Sequence, residues 1–276
     1  MAIKIAFYGK GGIGKSTVAA NCSAALARKG LKVLLIGCDP KSDSTLSLLG
    51  RKVPSVLRQT ALRGKDLAEE DVLHVGAWGV YCVESGGPEA GVGCAGMGIR
   101  TAVEELQRLG VLSRPWDAVV YDVLGDVVCG GFSVPMRRRY ADRVYVVTSS
   151  EFMSLYGANN IMKGVAHYGG AEGDLFGGLI LNRYGGAADG NVVERFASLT
   201  HTRVLARIPQ SGLIRKADFS RCTLADMAPC SPEFGCFDKL ADRVRSDQGP
   251  FGCRPLSEDE LESFRAEQAM RLEERP

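Results

Sequence analysis

The first residues with the spacing of a chemical site form the run GKGGIGKST, residues 9–17. The run fits the phosphate-loop pattern G-x-x-x-x-G-K-[ST], and it lies between a β-rich stretch and a helical one, as that motif requires. Glycines let backbone N–H groups turn toward phosphate oxygens, and the helix N-terminus adds its positive dipole end. Lys15 would reach the terminal phosphates and Ser16 would hold Mg²⁺. The predicted nucleotide contacts are Gly9, Gly11, Gly12, Ile13, Gly14, Lys15, Ser16 and Thr17.

Two cysteines, Cys94 and Cys129, lie in surroundings that favour metal or cluster ligation. Both lie in glycine-rich loops just before a helical pattern, where backbone amides and a helix N-terminus would favour the thiolate. A [4Fe–4S] cluster needs four thiolates, so a symmetric dimer with two from each subunit would hold one cluster on its two-fold axis. Cys129 comes three residues after Asp126, so a shift caused by a γ-phosphate would be felt at the cluster.

Acidic residues follow two apolar runs, in GCDPKSDST (37–45) and in DVLGD (122–126). An aspartate at a strand end near a phosphate loop commonly reaches Mg²⁺, directly or through water, and another can orient an attacking water. Any one of them, taken alone, could equally cap a turn or a helix. Their combination with the phosphate loop favours the metal interpretation.

The elements that must position these residues alternate between strand and helix. Nearly continuous apolar runs, typical of parallel strands covered on both faces, occur at 3–9, 32–39, 117–125, 143–150, 176–184 and 202–209. Helical patterns at 15–30, 98–112 and 155–169 lie between them. We therefore predict an α/β fold with a doubly wound, mostly parallel sheet and P-loop NTPase architecture. The expected division is one domain over 1–245 and a tail over 246–276, whose charged helix opens with a Ser257/Glu260 capping box.

The composition of the chain bears on its binding partners and on its location in the cell. The 34 Lys and Arg against 32 Asp and Glu leave a net charge of +2 without a basic stripe, which argues against nucleic acid. No apolar run approaches the roughly 18 residues of a membrane span, and the N-terminal run leads directly into the phosphate loop, so a cytoplasmic protein is expected. Nine cysteines without a CxxC pair do not indicate a disulfide framework there. Cys22 and Cys38 are expected to pack as small hydrophobic residues.

A second lysine, Lys10, follows the first glycine of the loop. This variant resembles the deviant Walker A motif of the family that includes nitrogenase iron protein, Min and Par ATPases and arsenite pump ATPases. The resemblance implies a homodimer in which Lys10 crosses to the partner's nucleotide. It further implies that the remaining site residues divide by role: Asp39 or Asp126 for the hydrolytic water, Asp43 and Asp122 for magnesium, Lys41 for sensing the nucleotide, and Asn182 and Pro209 on the adenine side.

The longer runs GKGGIGKST, CDPKSDST, CVESGGPEAGVGCAG and YDVLGDVVCGGFSVPMR resemble the nitrogenase iron protein group over roughly residues 1–245. This resemblance implies an ATP-dependent one-electron donor whose [4Fe–4S] cluster is shared by Cys94 and Cys129 of two subunits. Such a protein hydrolyses MgATP to ADP, receives electrons from a ferredoxin or flavodoxin, and docks on a separate nitrogenase-like catalytic component.

The sequence departs from that group at two places. Met97 stands where the group usually has an arginine at the docking face, and Gln210, Ser211 and Arg215 replace a more acidic and amide-rich adenine-side run. By resemblance the possible systems are dinitrogenase, tetrapyrrole reductase or cyclase, and methylthio-alkane reductase, and the departures favour the last or another non-nitrogen-fixing member. The alternative is a cluster-free dimeric ATPase switch of the Min or Par type, which would leave the paired cysteine loops unexplained. A second metal site among Cys222, Cys230, Cys236 and Cys253 lacks a repeated ligand spacing.

Overall fold

The computed structural model describes residues 2–87, 95–125, 133–136, 140–168, 175–246 and 252–273. These residues build a sheet with the strand order β3-β4-β2-β5-β1-β6-β7-β8. Neighbouring strands pair in parallel except β3 and β4, which are antiparallel. The strands are β1 (Ile3–Gly9), β2 (Val33–Cys38), β3 (His74–Val75), β4 (Tyr81–Glu84), β5 (Ala118–Leu124), β6 (Arg143–Thr148), β7 (Phe176–Tyr184) and β8 (Val204–Pro209). The predicted doubly wound, mostly parallel fold is confirmed.

The helices cover both faces of this sheet. They are α1 (Lys15–Arg28), α2 (Leu46–Leu49), α3 (Val56–Arg63), α4 (Ala95–Arg108), α5 (Phe152–Tyr168), α6 (Ala187–Leu199), α7 (Gly212–Phe219), α8 (Leu224–Met227), α9 (Pro232–Ser246) and α10 (Glu258–Glu273). Short 3₁₀ turns join some of them. The three predicted helical patterns correspond to α1, α4 and α5.

The six predicted strands are all present, but the sequence analysis missed β3 and β4. β4 has only four residues, and β3 has two that lie at the antiparallel edge of the sheet. Neither is a long apolar run, and the pairing of β4 with β2 and of β3 with β4 comes from tertiary packing rather than from a local pattern. β4 matters for the site because it ends in the buried Glu84.

Two apolar layers enclose the sheet, and alternate residues of each strand point into opposite layers. On β1, Ile5 and Phe7 join the layer that contains α1 and α9, while Ala6 and Tyr8 join the layer that contains α4, α5 and α6. The small side chains of α1, mostly alanine, are buried and allow this helix to lie close to the strands. The central strands are therefore buried between the two layers.

The strand register brings the chemical residues to one edge of the sheet. Gly9 at the end of β1 pairs with Leu124 of β5, and Cys38 at the end of β2 pairs with Val123 of β5. The phosphate loop and both acidic segments leave from these neighbouring strand ends. In open α/β sheets, ligands bind in the crevice outside such carboxyl ends.

The C-terminal helix packs on the body of the molecule. The Asn159 side chain of α5 donates to the Leu256 carbonyl at 2.9 Å and accepts from the Leu256 N–H at 2.8 Å. Phe264 of α10 lies against Phe196 of α6, with ring centroids 5.8 Å apart. The capping box at Ser257 and Glu260 is confirmed by its two reciprocal hydrogen bonds. The division of the chain at residue 245 stays a prediction.

Candidate nucleotide-binding site

The phosphate loop joins the end of β1 to the start of α1. Gly12 and Gly14 have φ angles of +77° and +91°, which a residue with a side chain rarely adopts. The loop lines a cleft of about 600 Å³ together with Lys10, Asp39, Lys41 and Asp43. The N-terminus of α1 lies at this cleft, so backbone N–H groups and the helix dipole favour an anion there. The volume suits a nucleotide-sized ligand.

Lys15 and Asp122 form a buried ion pair beneath the loop. The Lys15 ammonium contacts one carboxylate oxygen of Asp122, and the side chains are 5% and 0% exposed. The second carboxylate oxygen of Asp122 has no hydrogen-bond partner among the described residues. A buried carboxylate oxygen of this kind is a suitable acceptor for water bound to Mg²⁺. The donor set around Ser16 and Asp122 therefore fits a magnesium nucleotide.

The end of β7 supports the loop from the other side. The Asn182 amide donates to the Ile13 carbonyl at 2.7 Å, and Arg183 donates to the Gly12 carbonyl at 2.5 Å. A Cβ on Gly14 would collide with the Asn182 amide nitrogen, so this position requires glycine for space as well as for its φ angle. Asn182 and Pro209 both line the cleft, as the adenine-side prediction requires. Arg183 was missed by the sequence analysis because no motif marks it.

The loop after β2 carries three of the predicted residues. The Asp39 carboxylate is buried and accepts from the backbone N–H of Lys41 at 2.9 Å. Partial burial, followed by the nearby charge of Asp39, raises the pKa of Asp43 above its usual value. A cation in the cleft would relieve this repulsion. The geometry thus brings Asp39, Lys41 and Asp43 together at the mouth of the phosphate loop.

Glu84 at the end of β4 is a site residue that the sequence analysis did not find. One of its carboxyl oxygens accepts from the Thr45 N–H at 2.6 Å and from the Thr45 hydroxyl at 2.7 Å. Burial raises the pKa of Glu84 to about 8, against the lowering effect of those hydrogen bonds. The only sequence signal was a lone glutamate after a short run of apolar residues.

The distal end of the cleft contains the residues that depart from the resemblance. Gln210, Ser211 and Arg215 line it, and the Ser211 hydroxyl caps α7 by accepting from the Leu213 N–H at 3.0 Å. Ser211 also donates to Glu233 at 2.9 Å. Ser211 therefore has a structural role in starting α7, beside any contact with a nucleobase.

Lys10 is exposed at the cleft, and its Cβ lies 3.8 Å from the position that a Cβ on Gly157 of α5 would occupy. Gly125, after β5, donates its N–H to the Gly9 carbonyl at 3.1 Å. The segment that leads from Asp122 toward Cys129 therefore begins in direct contact with the phosphate loop. Three predicted site residues lie outside the described residues, namely Asp126, Cys94 and Cys129.

Seven of the nine cysteines lie within the described residues, and all seven are free thiols. Cys22 and Cys38 are fully buried in the core, as predicted, and burial raises the pKa of each thiol to about 12. Among the described residues, no group of three or more His, Cys, Asp and Glu side chains could hold a metal ion. Cys222, Cys230, Cys236 and Cys253 thus form no such site in that part of the chain.

Comparison with known proteins gives the family. The model of the 4Fe-4S iron sulfur cluster binding proteins, NifH/frxC family, matches residues 3–271. The chain belongs to this family. Membership in the NifH/frxC family implies a [4Fe–4S] cluster, MgATP binding, and a homodimer that works with a separate catalytic component. The residues that carry the family's cluster resemblance, Cys94 and Cys129, occur in the matched range.

Similar sequences align with this chain over nearly its whole length. The nitrogenase iron protein of Methanococcus voltae is 44% identical over 264 residues, which cover 95% of each chain. That of Methanospirillum hungatei is 46% identical over 265 residues, covering 95% of this chain and 94% of the relative.

Solved structures show the same fold at lower identity. The cell division ATPase MinD of Pyrococcus furiosus has a TM-score of 0.68 at 23% identity, covering 88% of this chain and 98% of that one. The MinD of Pyrococcus horikoshii, complexed with Mg-ADP, has a TM-score of 0.68 at 24% identity, covering 89% and 97%. Within the residues that the structure describes, none of the helices has both the length and the apolar character needed to cross a bilayer.

Proposed function

We propose that this chain is the ATP-dependent reductase component of a nitrogenase-like system. It would form a homodimer, hydrolyse MgATP, and pass single electrons to a separate catalytic protein. The single observation that carries the proposal is the family match over residues 3–271, which includes both glycine-rich cysteine loops. The buried Lys15–Asp122 pair and the cleft beside it support the nucleotide half of the proposal.

The residues predicted to bind the nucleotide and magnesium divide by task. Backbone N–H groups of the loop and Lys15 would hold the phosphates, and Ser16, Asp43 and Asp122 would serve Mg²⁺ directly or through water. Asp39 or Asp126 would orient the attacking water. Asn182 and Pro209 would face the base.

The cluster would supply one-electron chemistry when bound, through thiolates of Cys94 and Cys129 from two subunits. This chain's contribution is a segment that starts at the phosphate loop. Gly125 contacts Gly9 so closely that a Cβ on Gly125 would lie 2.8 Å from the Gly9 nitrogen and oxygen. A shift of the phosphate loop toward Gly125 would therefore press on Gly125, four residues before Cys129 in the sequence, because close-packed backbone resists compression.

By resemblance the candidate catalytic partners are dinitrogenase, tetrapyrrole reductase or cyclase, and methylthio-alkane reductase. We retain the last, or another non-nitrogen-fixing system, as the preferred partner because of Met97 and the altered run at Gln210 and Ser211. A ferredoxin or flavodoxin would supply the electrons. Electron transfer from the reduced protein to each purified catalytic component, with MgATP, would discriminate among them.

The test of the reductase itself is iron and acid-labile sulfide per dimer, with electron paramagnetic resonance of the reduced protein before and after MgATP. We expect about four irons per dimer and a signal that MgATP changes. Cys94→Ser and Cys129→Ser should abolish the signal, whereas Cys230→Ser, at an exposed cysteine, should leave it intact. A dimer that hydrolyses ATP but takes up no iron on reconstitution would instead be a cluster-free switch of the Min or Par type.

A further inference from the structure

Glu84 connects β4 to the nucleotide loop that follows β2. Its side chain is 1% exposed, and Thr45, which it binds through both the backbone N–H and the hydroxyl, is equally buried. Thr45 lies two residues after Asp43, at the start of α2. A single carboxyl group on one strand thus fixes the end of the loop that carries Asp39, Lys41 and Asp43.

The next three residues continue along the same loop. Ser85 donates its N–H to the Gly37 carbonyl at 2.8 Å. A Cβ on Gly87 would lie 2.6 Å from the Pro40 Cβ and 3.0 Å from the Pro40 Cα, so Gly87 packs directly on Pro40. Residues 84–87 therefore contact the end of β2 at Gly37 and the nucleotide loop at Pro40 and Thr45.

The opposite side of residues 84–87 contacts the first turn of α4. A Cβ on Gly98 would lie 2.8 Å from the Gly86 carbonyl oxygen and 3.2 Å from the Gly87 Cα. α4 begins at Ala95, the residue after Cys94. The nucleotide loop, residues 84–87 and the start of α4 are consequently three segments in direct contact. The Glu84 side chain and the Pro40 ring join the first two, and glycine backbone joins the last two.

We propose that residues 84–87 carry movement of the nucleotide loop to α4, with Glu84 as the positioning residue that holds residues 84–87 to the loop. This inference rests on the proposed function. The route is separate from the one through Gly125, because it starts at the loop after β2 and ends at the first turn of α4. Close-packed segments move together or separate, so the link behaves as a two-state contact.

The protonation and hydrogen bonds of Glu84 determine which substitutions test this link. With a pKa raised to about 8 by burial, the carboxyl is mainly neutral at pH 7. Glu84→Gln then keeps the size, the charge and the acceptor for Thr45. Glu84→Ala removes the acceptor and leaves the Thr45 donors unpaired. Glu104→Ala, at an exposed position on α4, is the matched control.

The experiment is hydrogen–deuterium exchange of the holoprotein, measured at saturating MgADP and at saturating Mg²⁺ with a non-hydrolysable ATP analogue. Peptides covering 39–49 report the nucleotide loop, and peptides covering 95–106 report α4. In the wild type we expect a difference between the two nucleotides in both regions. In Glu84→Ala the difference at 95–106 should fall at least about threefold while the difference at 39–49 remains. Glu84→Gln and Glu104→Ala should match the wild type.

Gly98→Ala tests the link from the other side if Glu84→Ala does not fold, because the atoms nearest to its Cβ would be those of Gly86 and Gly87. It should change the response at 95–106 alone. A full response of α4 in Glu84→Ala or Gly98→Ala would overturn the proposal, as would a wild type whose α4 does not respond. Iron content is measured separately, so loss of the reductase assignment and loss of this link are distinguishable.

Discussion

The ammonium group of Lys15 contacts the carboxylate of Asp122 across the boundary between α1 and β5, and both side chains are buried. The two residues are 107 positions apart in the chain. This ion pair therefore joins Lys15, the proposed phosphate contact, to Asp122, the carboxylate proposed to serve Mg²⁺. Removing one partner of a buried pair leaves an uncompensated charge, which is a large cost, whereas removing both is a smaller one.

Lys15→Met should therefore lower the free energy of unfolding by about 3–5 kcal/mol in addition to abolishing ATP hydrolysis. Lys15→Met combined with Asp122→Asn removes both charges and should recover more than half of that loss, with hydrolysis still absent. Urea unfolding of the two variants, with Asp122→Asn alone to complete the cycle, gives the measurement. A double variant as unstable as the sum of the single ones would mean that the pair has no coupling energy.

Lys10 is exposed, so Lys10→Ala should change the unfolding free energy by less than about 0.5 kcal/mol. If Lys10 acts on the partner's nucleotide, Lys10→Ala should reduce ATP turnover at least about tenfold, because the positive charge that stabilises the transferring phosphate would be missing. Lys65→Ala, at another exposed lysine away from the cleft, is the control.

Mixed dimers test whether Lys10 acts across the interface. Co-expression of Lys10→Ala with the Lys15→Met/Asp122→Asn variant gives a dimer in which one site has Lys15 from its own subunit and Lys10 from the other. Random mixing makes half of the dimers mixed, and each mixed dimer has one complete site out of two. Roughly a quarter of wild-type turnover should therefore return. Turnover that stays at the background of the two parents would show that Lys10 acts within its own subunit.

The phosphate loop and six strands could be predicted because their signals are local. A glycine-rich run between a strand and a helix, and nearly continuous apolar runs, need no knowledge of distant residues. The same is true of the Ser257/Glu260 capping box, whose two members are three residues apart. Where the determinant is contained within a few residues, the sequence predicts the structure.

Glu84 and Arg183 could not be predicted because their roles depend on partners far along the chain. Glu84 binds Thr45, 39 residues earlier, and Arg183 binds Gly12, 171 residues earlier. β4, which positions Glu84, has only four residues and becomes a strand by pairing with β2. A lone charged residue after such a run has the same local signal whether it is solvated or buried.

Stability should depend on pH through Glu84. The folded pKa of about 8 lies above the ordinary value of 4.5, so the folded state binds more protons between these values. The contribution of Glu84 to stability is then present below pH 4.5 and is lost as pH rises through about 8, with a slope of at most about 1.4 kcal/mol per pH unit. The unfolding free energy of the wild type relative to Glu84→Gln should fall from pH 5.5 to pH 8.5. Glu104→Gln, at an exposed position, should show no such trend relative to the wild type.

The attachment of the C-terminal helix depends on Asn159, whose side chain pairs with both backbone groups of Leu256. Asn159→Ala leaves those two buried groups unpaired and should lower the unfolding free energy by about 1–3 kcal/mol. It should also raise hydrogen exchange in peptides covering 252–262 before the rest of the chain. A buried amide with two hydrogen bonds should contribute more to the free energy of unfolding than an exposed ion pair. The same region of the structure contains an exposed ion pair for comparison.

Lys163 and Glu258 join the same two elements by an ion pair of 2.8 Å, but their side chains are 41% and 66% exposed. Lys163→Ala should cost less than about 0.5 kcal/mol and leave exchange at 252–262 near the wild-type level, because water screens an exposed pair. Equal effects of Asn159→Ala and Lys163→Ala would contradict this ranking. In that case the helix would be held by its apolar contacts, such as Phe264 on Phe196, and Phe264→Ala would be the more damaging change.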